Sequence, residues 1–101
     1  MKVFLRNRNK EVDAQGEYNK ETQALTVLKG SRVSKTVSES PTFRGSLSIQ
    51  RERAKYVKEG IVQKDVVFKS SSTAANFVTG NSTNGLRSWK TEDGTALKDL
   101  Q

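Results

Sequence analysis

Cysteine and histidine are both absent from the 101 residues, and proline occurs once. Without cysteine there is no disulfide, no thiol nucleophile and no thiolate metal site. Without histidine the chain lacks the commonest general base and the commonest zinc ligand. Ser–His, Cys–His and His-ligated metal chemistry are thereby excluded, and an enzyme is not expected. Long apolar runs are missing too. Mean hydropathy is −0.72, and no stretch approaches the roughly 18 consecutive apolar residues of a membrane helix. The apolar part of the opening Met-Lys-Val-Phe-Leu-Arg is far shorter than that of a secretory signal, so the sequence reads as a mature cytoplasmic start. The lack of cysteine agrees with that location.

What the chain does have is positive charge. Lys and Arg number 18 against 11 Asp and Glu, for a formal charge of +7. A field of that sign favours anions such as nucleic acid or acidic membrane surfaces. Hydrophobic residues make up 33%, below the usual apolar share, so a small core with broad polar surroundings is expected. No repeat or linker divides the sequence, and its length suits one domain spanning residues 1–101.

Periodicity outlines the elements. Val3–Leu5 reads as a short strand followed by the polar turn Asn7-Arg8-Asn9. From Glu11 to Tyr18, Val12, Ala14, Gly16 and Tyr18 alternate with Glu11, Asp13, Gln15 and Glu17, the signature of a half-buried strand. A turn at Asn19-Lys20-Glu21 leads to a second strand over Gln23–Lys29, and the short separation predicts an antiparallel hairpin. Ser31–Ser46 reads as a long loop, a class of segment that tends to be functional or disordered. Leu47–Glu59 has helical spacing, with Leu47, Ala54 and Val57 as the expected core stripe and Gly60 as the stop. Val66–Phe68 reads as a strand and Thr73–Thr79 as a short helix closed by Gly80. Asn84-Gly85 suggests a left-handed turn, and Leu97 with Leu100 a terminal turn or short helix against the core. The expected class is α+β, a small antiparallel sheet with two or three helices.

Four groups of residues have chemical potential. Arg51, Lys55 and Lys58 fall at i, i+4 and i+7, and Arg44 extends their face if the helix begins early; most such faces are simply solvated. Ser70, Ser71 and Ser72 precede a helix, where hydroxyls and free N–H groups either cap the first turn or hold a phosphate. Gly30-Ser31-Arg32 offers weaker anion contacts and is not a nucleotide P-loop. Trp89 lies between Arg87 and Lys90; it either anchors the core, the commoner role of a lone tryptophan, or stacks a base. The carboxylates are scattered, with no spacing that defines an acid–base pair or a metal site, so no catalytic residue, metal or cofactor is assigned.

The C-terminal third carries a resemblance. Phe68-Lys69-Ser70-Ser71-Ser72-Thr73-Ala74-Ala75, Val78-Thr79-Gly80, Asn84-Gly85, Trp89-Lys90 and Asp93-Gly94-Thr95-Ala96-Leu97 follow in order. Together they resemble the bacterial domain-of-unknown-function 4357 family, and Asp13–Tyr18 and Val27–Ser31 resemble its opening hairpin. Arg53 and Glu59-Gly60-Ile61-Val62 fit its middle helix and exit, so the likeness runs from about Val3 to Leu100. Domains of this family are often attached to GIY-YIG nucleases or found with restriction–modification proteins, and the pattern is similar to the restriction-associated RAMA domain. No GIY-YIG motif occurs in this chain, so nuclease activity is not carried over, and Leu86 stands where an aromatic often follows Asn-Gly.

The resemblance and the charge together imply a non-catalytic DNA-binding or DNA-sensing module whose target DNA carries modified bases in one version. Lys29, Ser31, Arg32, Lys35 and Arg44 on the loop and Arg51, Lys55 and Lys58 on the helix are the expected phosphate contacts. Ser70, Ser71 and Ser72 are expected to donate at the helix start, with Asn84, Arg87 and Trp89 nearest the bases. The alternative is a protein-interaction module that docks a nuclease or methyltransferase subunit.

Overall fold

A computed structural model describes residues 1–7, 11–38 and 46–100, and the fold is α+β. Strand β1 (Lys2–Arg6) pairs antiparallel with β2 (Asp13–Tyr18), setting Lys2 opposite Glu17, Phe4 opposite Gln15 and Arg6 opposite Asp13. Strand β3 (Leu25–Val27) pairs with the other side of β2, and β6 (Val66–Phe68) pairs with β3, giving the order β1-β2-β3-β6. The predicted second strand is shorter than Gln23–Lys29. Gln23 takes a φ of 64°, outside the strand region, and after Leu28, whose N–H still donates to the Gln15 carbonyl, the chain turns, with the Ser31 N–H bonded to the Leu28 carbonyl. Of the predicted polar turn after β1, Arg8 and Asn9 lie outside the described residues.

Period-2 alternation divides the sheet into two faces. Val3, Leu5, Val12, Ala14, Tyr18, Leu25, Val27, Val66 and Phe68 are all buried on the inner one. Against them packs α2 (Ser71–Thr79), whose Ala74, Ala75, Phe77 and Val78 are fully buried, with the Phe68 and Phe77 rings 4.9 Å apart. The 3₁₀ turn Leu97–Leu100 adds the buried Leu97, as its spacing predicted.

Helix α1 (Ser46–Tyr56) departs from the expected stripe. Leu47 and Ala54 are exposed and Val57 has left the helix, while Ile49, Arg53 and Tyr56 form the inward row. A search for apolar residues at helical spacing misses this face because its centre is an arginine. The Arg53 guanidinium donates to the Phe77 carbonyl (2.9 Å), the Ser34 carbonyl (2.8 Å), Ser34 Oγ (2.8 Å) and the Val78 carbonyl (3.3 Å). A helix leaves its last four carbonyls unpaired and its C-terminus partly negative. Here Asn76 accepts from the Gly80 N–H, Phe77 from Arg53, Val78 from Arg53 and the Ser34 N–H, and Thr79 from Asn81 Nδ2. Burial pulls the Arg53 pKa below its ordinary value, but an arginine stays charged throughout the working range.

The chain then enters the hairpin β4 (Val57–Lys58) and β5 (Ile61–Val62). Its two-residue turn, Glu59-Gly60, has φ of 54° and 79°, the positive values that match hairpin twist. Gly60 thus closes a hairpin and does not cap a helix. Asn84-Gly85 is also not a left-handed turn. Asn84, with φ of −79°, caps the short helix α3 (Gly85–Ser88) by accepting from the Leu86 N–H. Glycine is needed at 85 for closeness: a Cβ there would lie 2.2–2.3 Å from the backbone of Ser71 and Ser72.

Candidate nucleic-acid interface

The outer face of the sheet is uncovered by any helix among the described residues. It carries Lys2, Phe4 and Arg6 from β1, Asp13, Gln15 and Glu17 from β2, Thr26 from β3 and Val67 from β6. Phe4 and Thr26 are half-buried and the rest are exposed. Bridges beyond the named strands extend this face on both sides. Arg32 bridges Asp13 by a reciprocal pair of backbone hydrogen bonds (2.9 and 3.0 Å) and also bridges Ile61, the ladder partner of Lys58. Lys90 likewise bridges Phe4 from the free side of β1.

Residues directly opposite in an antiparallel ladder project to the same face. One continuous cross-strand row therefore reads Arg6, Asp13, Arg32, Ile61, Lys58. Four inter-strand steps separate its ends, a span of about 19 Å. Arg6 Nε donates to Asp13 Oδ1 at 3.0 Å. Arg32 and Lys58 are exposed and, among the described residues, form no ion pair. Lys2, Arg6, Arg32, Lys58 and Lys90 on this face outnumber Asp13 and Glu17. Both carboxylates are already engaged, Asp13 by Arg6 and Glu17 by the amino group of Met1 at 3.3 Å.

At the β1 edge the face opens into a cleft of about 660 Å³. Phe4, Arg6, Lys90, Arg87 of α3, Thr91 and Glu92 are among the residues that line it. The Arg6 guanidinium lies 4.9 Å from the centre of the Phe4 ring and the Lys2 ammonium 5.9 Å, within the range of cation–π attraction. The loop behind Glu92 is held by Asp93, which accepts hydrogen bonds from the Thr91 hydroxyl and the Thr95 N–H. Those bonds, the Thr91 hydroxyl first, hold the Asp93 carboxyl below its usual range.

The residues singled out from sequence fare unequally. Lys29, Arg32 and Lys35 are exposed, as are Arg51 and Lys55, and Arg44 lies outside the described residues. Lys58 does not extend the Arg51–Lys55 face, because α1 ends at Tyr56 and Lys58 sits on β4, in the sheet row. Ser31 is no surface donor. It is buried, and its Oγ bonds both the N–H and the carbonyl of Gln15. The three serines at the start of α2 are used internally. Ser70 accepts from the Thr73 N–H, Ser71 is buried, and Ser72 accepts from the Gly85 N–H. Trp89 is fully buried and its indole N–H donates to the Ser71 carbonyl at 3.1 Å, so it cannot stack a base. Nor does it share a strand face with Arg87, which is exposed on α3, while Asn84 is exposed as its cap.

Phe4, Arg6 and Lys2 were not singled out, although Lys-Val-Phe-Leu-Arg alternates and would have placed all three on one face. Among the described residues no helix is long and apolar enough to cross a membrane, and no group of three acidic side chains is placed to hold a metal ion.

The chain matches the family described as a domain of unknown function (DUF4357) across residues 4–101. No curated protein and no solved structure matches it.

Proposed function

Because this chain belongs to the DUF4357 family, whose sequence pattern resembles restriction-associated domains, we propose that it is a non-catalytic, cytoplasmic DNA-binding accessory module that works through the uncovered sheet face. The cross-strand row carries this reading. It spaces Arg6, Arg32 and Lys58 two strands apart, about 10 Å each, on a face whose own strand carboxylates, Asp13 and Glu17, are already engaged. Cations so spaced contact phosphates without reading bases, which positions the module and leaves sequence choice to other groups.

A salt-dependent anisotropy titration with a labelled duplex tests the proposal. Each phosphate contact contributes about −0.9 to the slope of log affinity against log salt. Changing Arg32 and Lys58 together to Glu should weaken binding at least about tenfold and flatten the slope by roughly 2. The paired change of Arg51 and Lys55 should do less, since neither belongs to the row. No binding of the unaltered protein at low salt overturns the reading, as does unchanged affinity in the Arg32/Lys58 variant.

A further inference from the structure

We propose that the cleft at the β1 edge receives one unpaired nucleotide of the DNA lying on the sheet face, stacked on the Phe4–Arg6 pair; this rests on the DNA-binding reading above. Three features of the cleft point to a nucleotide rather than a phosphate alone.

The first is its aromatic floor. Among the described residues Tyr18, Phe68, Phe77 and Trp89 are buried, Phe4 and Tyr56 are half-buried, and Phe4, on the uncovered face, is the one that lines the cleft. Above the ring lies the Arg6 guanidinium, 4.9 Å from its centre and held by Asp13 at 3.0 Å. A guanidinium plane and a phenyl ring are the two surfaces on which proteins stack splayed bases.

The second is the distribution of charge. Arg87, from α3, and Lys90, which bridges the β1 edge, both line the cleft, where they can meet the phosphates flanking a stacked base, while Glu92 adds a carboxylate. A carboxylate would repel a bare phosphate, but it accepts a hydrogen bond from the Watson–Crick edge of an unpaired base, whether an exocyclic amine or the ring N3–H of thymine.

The third is size. About 660 Å³ falls within the roughly 300–1,000 Å³ of ligand pockets, and Arg6 belongs both to the cleft and to the phosphate-binding row. A base inside a duplex cannot enter it without leaving the stack. Unpairing costs least where the base is mismatched, bulged or single-stranded, so the module should favour DNA with such a defect.

Anisotropy titrations with three probes decide the matter: a perfect duplex, the same duplex with one extra unpaired thymidine, and a third with an abasic residue at that position. The bulged probe should bind about tenfold more tightly than the perfect duplex, the worth of one stacked base, and the abasic probe should lose that gain. Phe4→Leu keeps an apolar side chain on the strand and should abolish the preference, so that bulged and perfect duplexes bind the variant alike. Permanganate oxidation of the unpaired thymine should fall on binding the unaltered protein and persist with Phe4→Leu. Equal, salt-sensitive binding of all three probes overturns the nucleotide pocket and leaves the DNA-binding reading intact. So does a bulge preference that survives both the abasic probe and Phe4→Leu. Failure to bind any probe overturns both.

Discussion

Replacing Arg53 by methionine should be among the most damaging conservative changes in the domain, although the residue lies on the segment where an ordinary apolar stripe was expected. Methionine keeps an unbranched apolar stem and removes the guanidinium. The Phe77 and Ser34 carbonyls would each lose the side-chain donor that reaches them. Val78 would keep the Ser34 N–H, and Ser34 Oγ would keep its own donation to the Thr36 carbonyl. A part-buried carbonyl left unpaired costs about 1–3 kcal/mol, and loss of a cation at a helix C-terminus adds roughly 0.3–1 kcal/mol. Because Arg53 is only half-buried, water can reach part of the site, which places the total near the low end, about 2–4 kcal/mol. For a chain of this size that lowers Tm by about 8–25 °C. Lysine retains the charge but not the fork that spans Ser34, Phe77 and Val78, so Arg53→Lys should recover less than half of the loss. Thermal and urea unfolding followed by circular dichroism read both variants. The loss should be flat from about pH 6 to about pH 9, since the guanidinium does not titrate there. An Arg53→Met variant within about 0.5 kcal/mol of the parent, the range of ordinary surface changes, would refute the argument that this side chain closes the end of α2.

Two further outcomes follow from close contacts elsewhere. Gly85→Ala puts a methyl 2.2–2.3 Å from the Ser71–Ser72 backbone. It should destabilise by about 1–3 kcal/mol, as overpacking does, and show in the near-ultraviolet signal of Trp89, whose indole bonds Ser71. Asp93 has a folded-state pKa below its unfolded one, so its ordering of the 91–95 loop is present above the ordinary carboxylate range and fades as pH falls through the folded value. Amide shifts of Thr91 and Thr95 should therefore titrate together below about pH 4 in the parent and not in Asp93→Asn.

The strands were readable in the sequence because burial on one side of a sheet imposes strict alternation. Val12, Ala14, Gly16 and Tyr18 admit one face assignment, and the structure keeps it. The caps of α2 were readable for a similar local reason: Ser70 and Gly80 act within one turn of their own position. Where local pattern misled, tertiary contact had overridden it. Leu47 looked like core and is 69% exposed, because the partner of α1 is the carbonyl-rich end of α2, which an arginine satisfies better than a leucine. Asn84-Gly85 looked like a turn because it has turn chemistry, but Gly85 is there to let α3 touch α2.

The candidate site was obscured by a different cause. Arg6, Asp13, Arg32, Ile61 and Lys58 share no spacing, helical or alternating; they become neighbours only through strand register and two isolated bridges. A search along the sequence therefore names Arg32 and Lys58, 26 and 52 positions from Arg6, but assigns them to a loop and to the Arg51–Lys55 helix face, and passes over Arg6. The net charge of +7 says that an anion is favoured but not where. Register supplies the place, since each antiparallel pairing puts one more side chain on the same face at about 4.8 Å intervals. A one-residue slip of β2 would send Asp13 inward and break the row at its second member. The core that holds β2 in register, with Ala14, Tyr18, Leu25 and Phe77 among its members, is thus also what spaces the proposed phosphate contacts. Core substitutions that loosen β2 should weaken DNA binding without touching a single cation.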